Sequence, residues 1–226
     1  MTMPRQPEPE LMDDAAEADA YADADFCEVN QAFVDRLVEL AETHGVPPGA
    51  RAVDLGTGPG DIPCRLAARC PGWRITGVDA SEAMIRLARR NPPNEAGDTP
   101  SPRFIVADAK STGLPADSFD VVCSNSILHH VSDAAALWAE VRRLAKRGGL
   151  VFFRDLARPD SREAAHRIVD AYAADESELL REEYYRSLLS SYTPAEVRRQ
   201  LEAAGLGSLE VVMATDRHLD VFGRAG

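Results

Sequence analysis

The stretch Val53-Asp54-Leu55-Gly56-Thr57-Gly58-Pro59-Gly60 sets three glycines at alternate positions directly after a short apolar run. Glycine has no Cβ and tolerates positive φ, so a strand ending here can turn sharply and offer bare main-chain N–H groups to a ligand at the start of the next helix. The next apolar run, Arg74-Ile75-Thr76-Gly77-Val78-Asp79, ends in a carboxylate. It falls roughly 20 residues on, where an acid bonds a ribose diol in sites of this kind. Glycine turn and acid together predict an adenosine-containing ligand. A second reactive pair, His129-His130, follows a later apolar run. Imidazoles titrate near neutrality and are the usual general bases for a hydroxyl, thiol or protonated amine.

The glycine spacing narrows the ligand. A dinucleotide fingerprint reads G-x-G-x-x-G, with its third glycine bringing the helix close to the strand. Here that slot is Asp61, whose carboxylate would repel a pyrophosphate at the same helix N-terminus. NAD and FAD are disfavoured, and a ligand carrying a cation suits an acidic rim.

These residues need a scaffold that brings them to one edge. From Asp25 onward Phe33, Val34, Leu37, Val38 and Ala41 recur at helical spacing, which predicts an amphipathic opening helix. Strands are expected near 51–55, 74–79, 103–108, 119–124 and 149–155, with helices between. Such alternation implies a parallel sheet covered on both faces by right-handed crossovers. Thr193-Pro194-Ala195-Glu196 reads as a capping box with proline at the first helical position, and the helix stops near Gly205. Leu209–Met213 and His218–Phe222 read as two closing strands. Ligands on open α/β sheets bind beyond the carboxyl ends of the strands, which places Gly56, Asp79, Asp108, Asn125 and Arg154 on one rim.

The ordered series of motifs resembles the class I S-adenosylmethionine-dependent methyltransferases, most closely the bacterial small-molecule type. Asp54 to Asp61 is similar to the family's first motif, Gly77 to Met84 to its second, Phe104 to Ala109 to its third, Phe119 to His130 to its fourth strand and following loop, and Gly148 to Asp155 to strand five. The resemblance implies a Rossmann-like α/β fold with a seven-stranded, mostly parallel sheet, helices on both faces, and a helical lid. It implies that S-adenosyl-L-methionine is held by Asp54, Gly56, Thr57, Gly58, Gly60 and Asp61. Asp79 would take both ribose hydroxyls, Ala80 and Met84 would pack on adenine, and Asp108 with the Ala109 N–H would read its edge. Asn125 would face the methionine part, and His129 or His130 would act as base.

Acceptor recognition should lie outside the nucleotide frame. Tyr21 to Phe26 could fold over the site, with Tyr21 on the cofactor and Phe26 on the acceptor. The insertion before Thr193 holds Tyr184 and Tyr185, and its stripe of Tyr185, Leu188, Leu189 and Tyr192 reads equally as core. Arg154 and Asp155 could orient an acceptor or pair with each other. Lid segments are accordingly expected at about 21–45 and 157–192 of a domain covering 21–226. Residues 1–20 have the low hydrophobicity and acidic bias of a disordered tail.

At 226 residues and 45% hydrophobic content the chain can bury one sizeable core. Its formal charge of −12 argues against nucleic acid, whose binding relies on clustered Lys and Arg. Cys27, Cys64, Cys70 and Cys123 form no C-x-x-C pair and match no zinc spacing, so neither a disulfide framework nor a metal is expected. No signal peptide or membrane-length apolar run is evident, so a soluble, cytoplasmic protein is expected. The function read from sequence is methyl transfer to a small molecule. The alternatives are a non-catalytic S-adenosylmethionine-binding regulatory module, an RNA methyltransferase and a nicotinamide-dependent oxidoreductase. Oxygen, nitrogen, sulfur and carbon acceptors are all compatible with this scaffold.

Overall fold

The computed structural model describes residues 3–8, 26–90 and 101–226. In chain order the elements are α1 (Cys27–Thr43), β1 (Arg51–Leu55), α2 (Asp61–Arg69), β2 (Arg74–Asp79), α3 (Glu82–Arg90), β3 (Arg103–Val106) and β4 (Phe119–Asn125). They continue as α4 (Ala134–Leu144), β5 (Ala145–Leu156), α5 (Arg162–Tyr172), α6 (Glu178–Ser190), α7 (Pro194–Ala203), β6 (Glu210–Met213) and β7 (His218–Arg224). The strands form one seven-stranded sheet in the order β3-β2-β1-β4-β5-β7-β6. β1 to β5 run parallel, whereas β7 is antiparallel to both β5 and β6. The order reverses between β1 and β4, which opens the crevice at their carboxyl ends.

The central strands are apolar on both faces because both are covered. Ala52, Val121, Cys123, Leu150 and Phe152 point to the side of α1 and α2, where Phe33 stacks on Phe152 at 4.7 Å between ring centroids. Val53, Leu55, Val122, Val151 and Phe153 point to the side of α4 and α7 and pack with Leu137, Trp138, Val197 and Leu201. Helix starts follow local chemistry: Asp133, Ser161 and Ser177 each accept a main-chain N–H of the first turn. Thr193 and Glu196 form the expected reciprocal capping box.

Two glycines of the β1–α2 turn need their type for packing. Gly60 has φ +85°, and a Cβ there would lie 2.8 Å from both Ala88 and Phe104. Gly56 has φ +71°, and its Cβ would meet Ile127 at 2.7 Å. The bare backbone at these points therefore admits neighbouring side chains of the protein, which corrects the expectation that ligand approach alone requires glycine.

The insertion forms the helical hairpin α5–α6, whose Ala165, Val169, Leu188 and Leu189 pack around Leu156 at the end of β5. Strand ends also differ from expectation. β3 stops at Val106, and β5 starts at Ala145, with a register shift between Phe119 and Val121 where its Lys146–Gly149 stretch bulges. Residues 3–8, to which composition assigns no fold, are laid against this end of the molecule. Met3 packs on the α5–α6 cluster, and the Gln6 N–H donates to Leu189 O at 3.0 Å. The rest of the tail expectation, and that for Tyr21, lies outside the described residues.

Candidate functional site

A cavity of about 430 Å³ opens at the carboxyl ends of β1, β2 and β4. Its walls include Gly56, Gly58, Asp79, Ala80, Met84, Asp108, Ala109, Asn125 and His130. Asp79 ends β2, and its two carboxylate oxygens accept the Gly58 and Ser81 N–H groups, each at 2.8 Å. Those bonds fix the rotamer and leave further lone pairs for donors in the cavity. Burial raises the Asp79 pKa, against the opposing effect of those same main-chain bonds.

Behind the glycine turn lies a second acid. Asp54 is 1% exposed, and burial, countered by Thr57 and reinforced by the Asp79 charge, pushes its pKa up to about 7. Asp54 Oδ2, Thr57 Oγ1 and Asn125 Oδ1 have no hydrogen-bond partner among the described residues. Buried oxygens of this kind are costly unless a donor reaches them. Of the three residues only Asn125 lines the cavity, whereas Asp54 and Thr57 are buried behind the glycine turn and outside its wall, which differs from the place expected for them on the cofactor.

The histidine pair sits at the far side, in the turn after β4, with ring centroids 4.1 Å apart. His129 is buried, and its Nδ1 bonds Asp155 Oδ1 at 2.6 Å. Asp155 is itself held by the N–H groups of Leu128 and Leu156. Burial opposes a charge on His129, yet the Asp155 carboxylate outweighs it and raises the pKa. Burial and the neighbouring His129 charge lower that of His130. The surroundings of the pair thus favour a proton on His129 over one on His130.

The deciding observation is that residues 53–153, the stretch carrying the glycine turn, Asp79, Asn125 and both histidines, match the family described as Methyltransferase domain. This stretch, less than half of the chain, is similar in sequence to methyltransferase domains. The chain is 37% identical over 139 residues to malonyl-[acyl-carrier protein] O-methyltransferase of Geobacter sulfurreducens, a match covering 62% of this chain and 48% of that protein. The chain thus spans about half the length of the curated relatives it matches. In fold it is similar to the plantazolicin methyltransferase BpumL, solved with SAH, with TM-score 0.72, 14% identity and coverage of 94% and 90% of the two chains. A SAM-dependent methyltransferase from Aquifex aeolicus gives TM-score 0.68 at 17% identity, covering 94% and 99%. The seven-stranded Rossmann-like sheet expected from the motifs is the one observed.

Several residues expected at the site are placed elsewhere. Asp61 is tied to Arg65 at 2.7 Å and to Asn30 at 2.8 Å, so its charge is matched within the protein and it does not line the cavity. Gly60 is a packing point beneath the turn. Arg154 makes a bidentate pair with Asp220 of β7 at 2.7 and 2.8 Å, and Asp155 serves His129, so the two neither pair with each other nor face an acceptor. Tyr185 stacks on His166, and Tyr184, pushed up to about 12 by burial, packs with it in the α5–α6 cluster. Neither lines the cavity, because the tyrosine stripe is spent on closing the hairpin core. Phe26 caps the start of α1 and is also absent from the cavity wall. Asp108 does line it, but its Oδ1 accepts the Lys110 N–H at 2.8 Å and its other oxygen pairs with the Lys110 ammonium at 3.2 Å.

Two residues outside the sequence reading reach the site. Arg5 donates to the carbonyls of Ser190, His129 and Val131 and lies over the Tyr192 ring at 4.0 Å. Glu8 then meets His130 Nδ1 at 3.0 Å. The run Met3-Pro4-Arg5-Gln6-Pro7-Glu8 carried a usable signal, since prolines with their restricted predecessors hold a chain extended. A larger groove of about 850 Å³ lies between α4 and α7 and shares no lining residue with the cavity.

The raised Asp54 pKa gives a pH-dependent stability. The folded state retains this proton up to about pH 7, whereas the unfolded chain releases it near the ordinary aspartate value of 3.8. Folded protein therefore binds more protons than unfolded across that window, and stability falls as pH rises through it. Asp54→Asn is expected to raise the unfolding free energy of the ligand-free protein at pH 8, read from urea denaturation, by an amount on the order of a few kcal/mol, and to shift the midpoint little at pH 4. Equal midpoints at both pH values would show that Asp54 is ionised in its buried setting.

Proposed function

We propose that the chain transfers a methyl group from S-adenosylmethionine to a small-molecule acceptor. The carrying observation is the anchored Asp79 and the unpartnered Asn125 Oδ1 in the wall of one cavity at the strand ends. When bound, the cofactor supplies a methyl group already activated on a sulfonium. Asp79 would accept from a ribose diol, Ala80 and Met84 would flank the adenine, and Asn125 would face the positively charged methionine end. Lys110 is the single cationic side chain among the described residues of the wall, and it is paired with Asp108. That pairing supports an adenosyl ligand without phosphate.

What remains for the protein is to align the acceptor and exclude water, because an in-line displacement from an activated donor gains chiefly from proximity. His130 faces the cavity and is the residue placed to hold the acceptor or take its proton. The α5–α6 hairpin stands at the same edge and supports a covering role over the acceptor side. A formal charge of −12 favours a metabolite over nucleic acid.

Calorimetry tests the cofactor first: S-adenosylmethionine and S-adenosylhomocysteine are expected to bind at one site, and NAD is not. Incubation with methyl-labelled donor and fractionated bacterial metabolites should then label a small molecule. Binding without transfer to any fraction would favour the non-catalytic module, and label in added RNA would move the acceptor to nucleic acid.

A further inference from the structure

The N-terminal segment completes a set of ligands that neither histidine could form alone. Glu8 Oε1 lies 3.0 Å from His130 Nδ1 and 3.7 Å from His129 Nε2. One ligand atom from each of the three residues falls within 4.8 Å of the others. A tetrahedral Zn²⁺ with bonds of about 2.0–2.2 Å has ligand atoms roughly 3.3–3.5 Å apart, so the spacing needs little adjustment. The surroundings are those of a metal site. Asp155 fixes His129 through Nδ1, leaving Nε2 directed at Glu8, as a carboxylate does for a ligating histidine. At 3.7 Å the Glu8 oxygen is too far for a hydrogen bond to that nitrogen. Ser187 Oγ contacts the Glu8 carboxylate at 3.3 and 3.4 Å, and the Arg5 anchor holds the segment to the His129 and Val131 carbonyls.

We propose that Glu8, His129 and His130 form a binding site for a first-row divalent cation of the zinc class, with an open coordination position toward the cavity. Two imidazoles and one carboxylate suit such a cation and leave room for a further oxygen or nitrogen ligand. His130 is shared with the cavity wall, so that further ligand comes from the acceptor side. No zinc spacing is visible along the chain because Glu8 lies far in sequence from the two adjacent histidines. Metal binding at these atoms is independent of the methyl-transfer reading.

The test uses the full chain freed of metal by chelation and titrated with Co²⁺ as the spectroscopic probe, with Zn²⁺ followed by calorimetry. One equivalent should bind, giving visible d–d bands of low-symmetry nitrogen and oxygen ligation without a thiolate charge-transfer band. Glu8→Gln and His130→Asn should each weaken Zn²⁺ binding by roughly tenfold or more. Glu8 lies on a terminal segment outside the sheet, so its variant keeps the fold, which S-adenosylmethionine binding and circular dichroism would verify. Absence of a d–d band, unchanged affinity in both variants, or a thiolate band from the cysteines would overturn the assignment. Failure of cofactor binding with metal binding intact would instead count against the proposed function alone.

Discussion

Replacing His130 by alanine is expected to slow methyl transfer by roughly 10²- to 10⁴-fold while leaving S-adenosylmethionine affinity nearly unchanged, the range for loss of a positioned acid–base group. The geometry separates the two histidines. His130 borders the cavity, whereas His129 is 4% exposed and committed to Asp155. His129→Ala should act differently, because it leaves the nearly buried Asp155 carboxylate without its imidazole partner. Breaking a buried pair in this way costs about 3–5 kcal/mol, which lowers the melting temperature before any kinetic effect is read. The measurement is single-turnover transfer at saturating cofactor, alongside melting curves for both variants. A wild-type rate for His130→Ala would remove this residue from the reaction. A stable His129→Ala that has lost only turnover would exchange the two roles.

The sheet was legible because its signals are local. Apolar runs read as ending at Leu55, Asp79 and Ser124, with glycine or turn residues soon after them, map onto β1, β2 and β4. The Thr193 capping box was equally plain, since each of its bonds spans three residues. What sequence could not give was the partner of each charge. Arg154 adjoins Asp155 in the chain, yet alternate residues of a strand face opposite ways. The register of β5 on β7 sets Arg154 beside Asp220. Asp61 has a local partner in Arg65, one turn on in the same helix, but Asn30 closes on it only when α1 and α2 pack together. Glu8 was hidden for the same reason at greater range: its meeting with His130 needs the segment to cross the molecule and dock on Leu189 and Ser190.

Removing the Asp79 carboxylate should weaken S-adenosylmethionine binding by about 1–3 kcal/mol, or roughly 5- to 150-fold in Kd, the cost of losing bonds to a charged acceptor. Two observations make Asp79 the best placed residue for this effect. Its side chain is held by two main-chain N–H groups from different elements, Gly58 of the glycine turn and Ser81 ahead of α3. It is therefore set before ligand arrives, and little entropy is lost in presenting it. Its loss also frees the Gly58 N–H, so Asp79→Ala loosens the turn as well as deleting an acceptor, while Asp79→Asn retains one acceptor oxygen and should fall between the two. Calorimetric affinities in the order wild type, Asn, Ala would support direct recognition of a hydroxyl pair. Equal affinities for all three would place the ribose elsewhere and leave Asp79 as a brace for the turn.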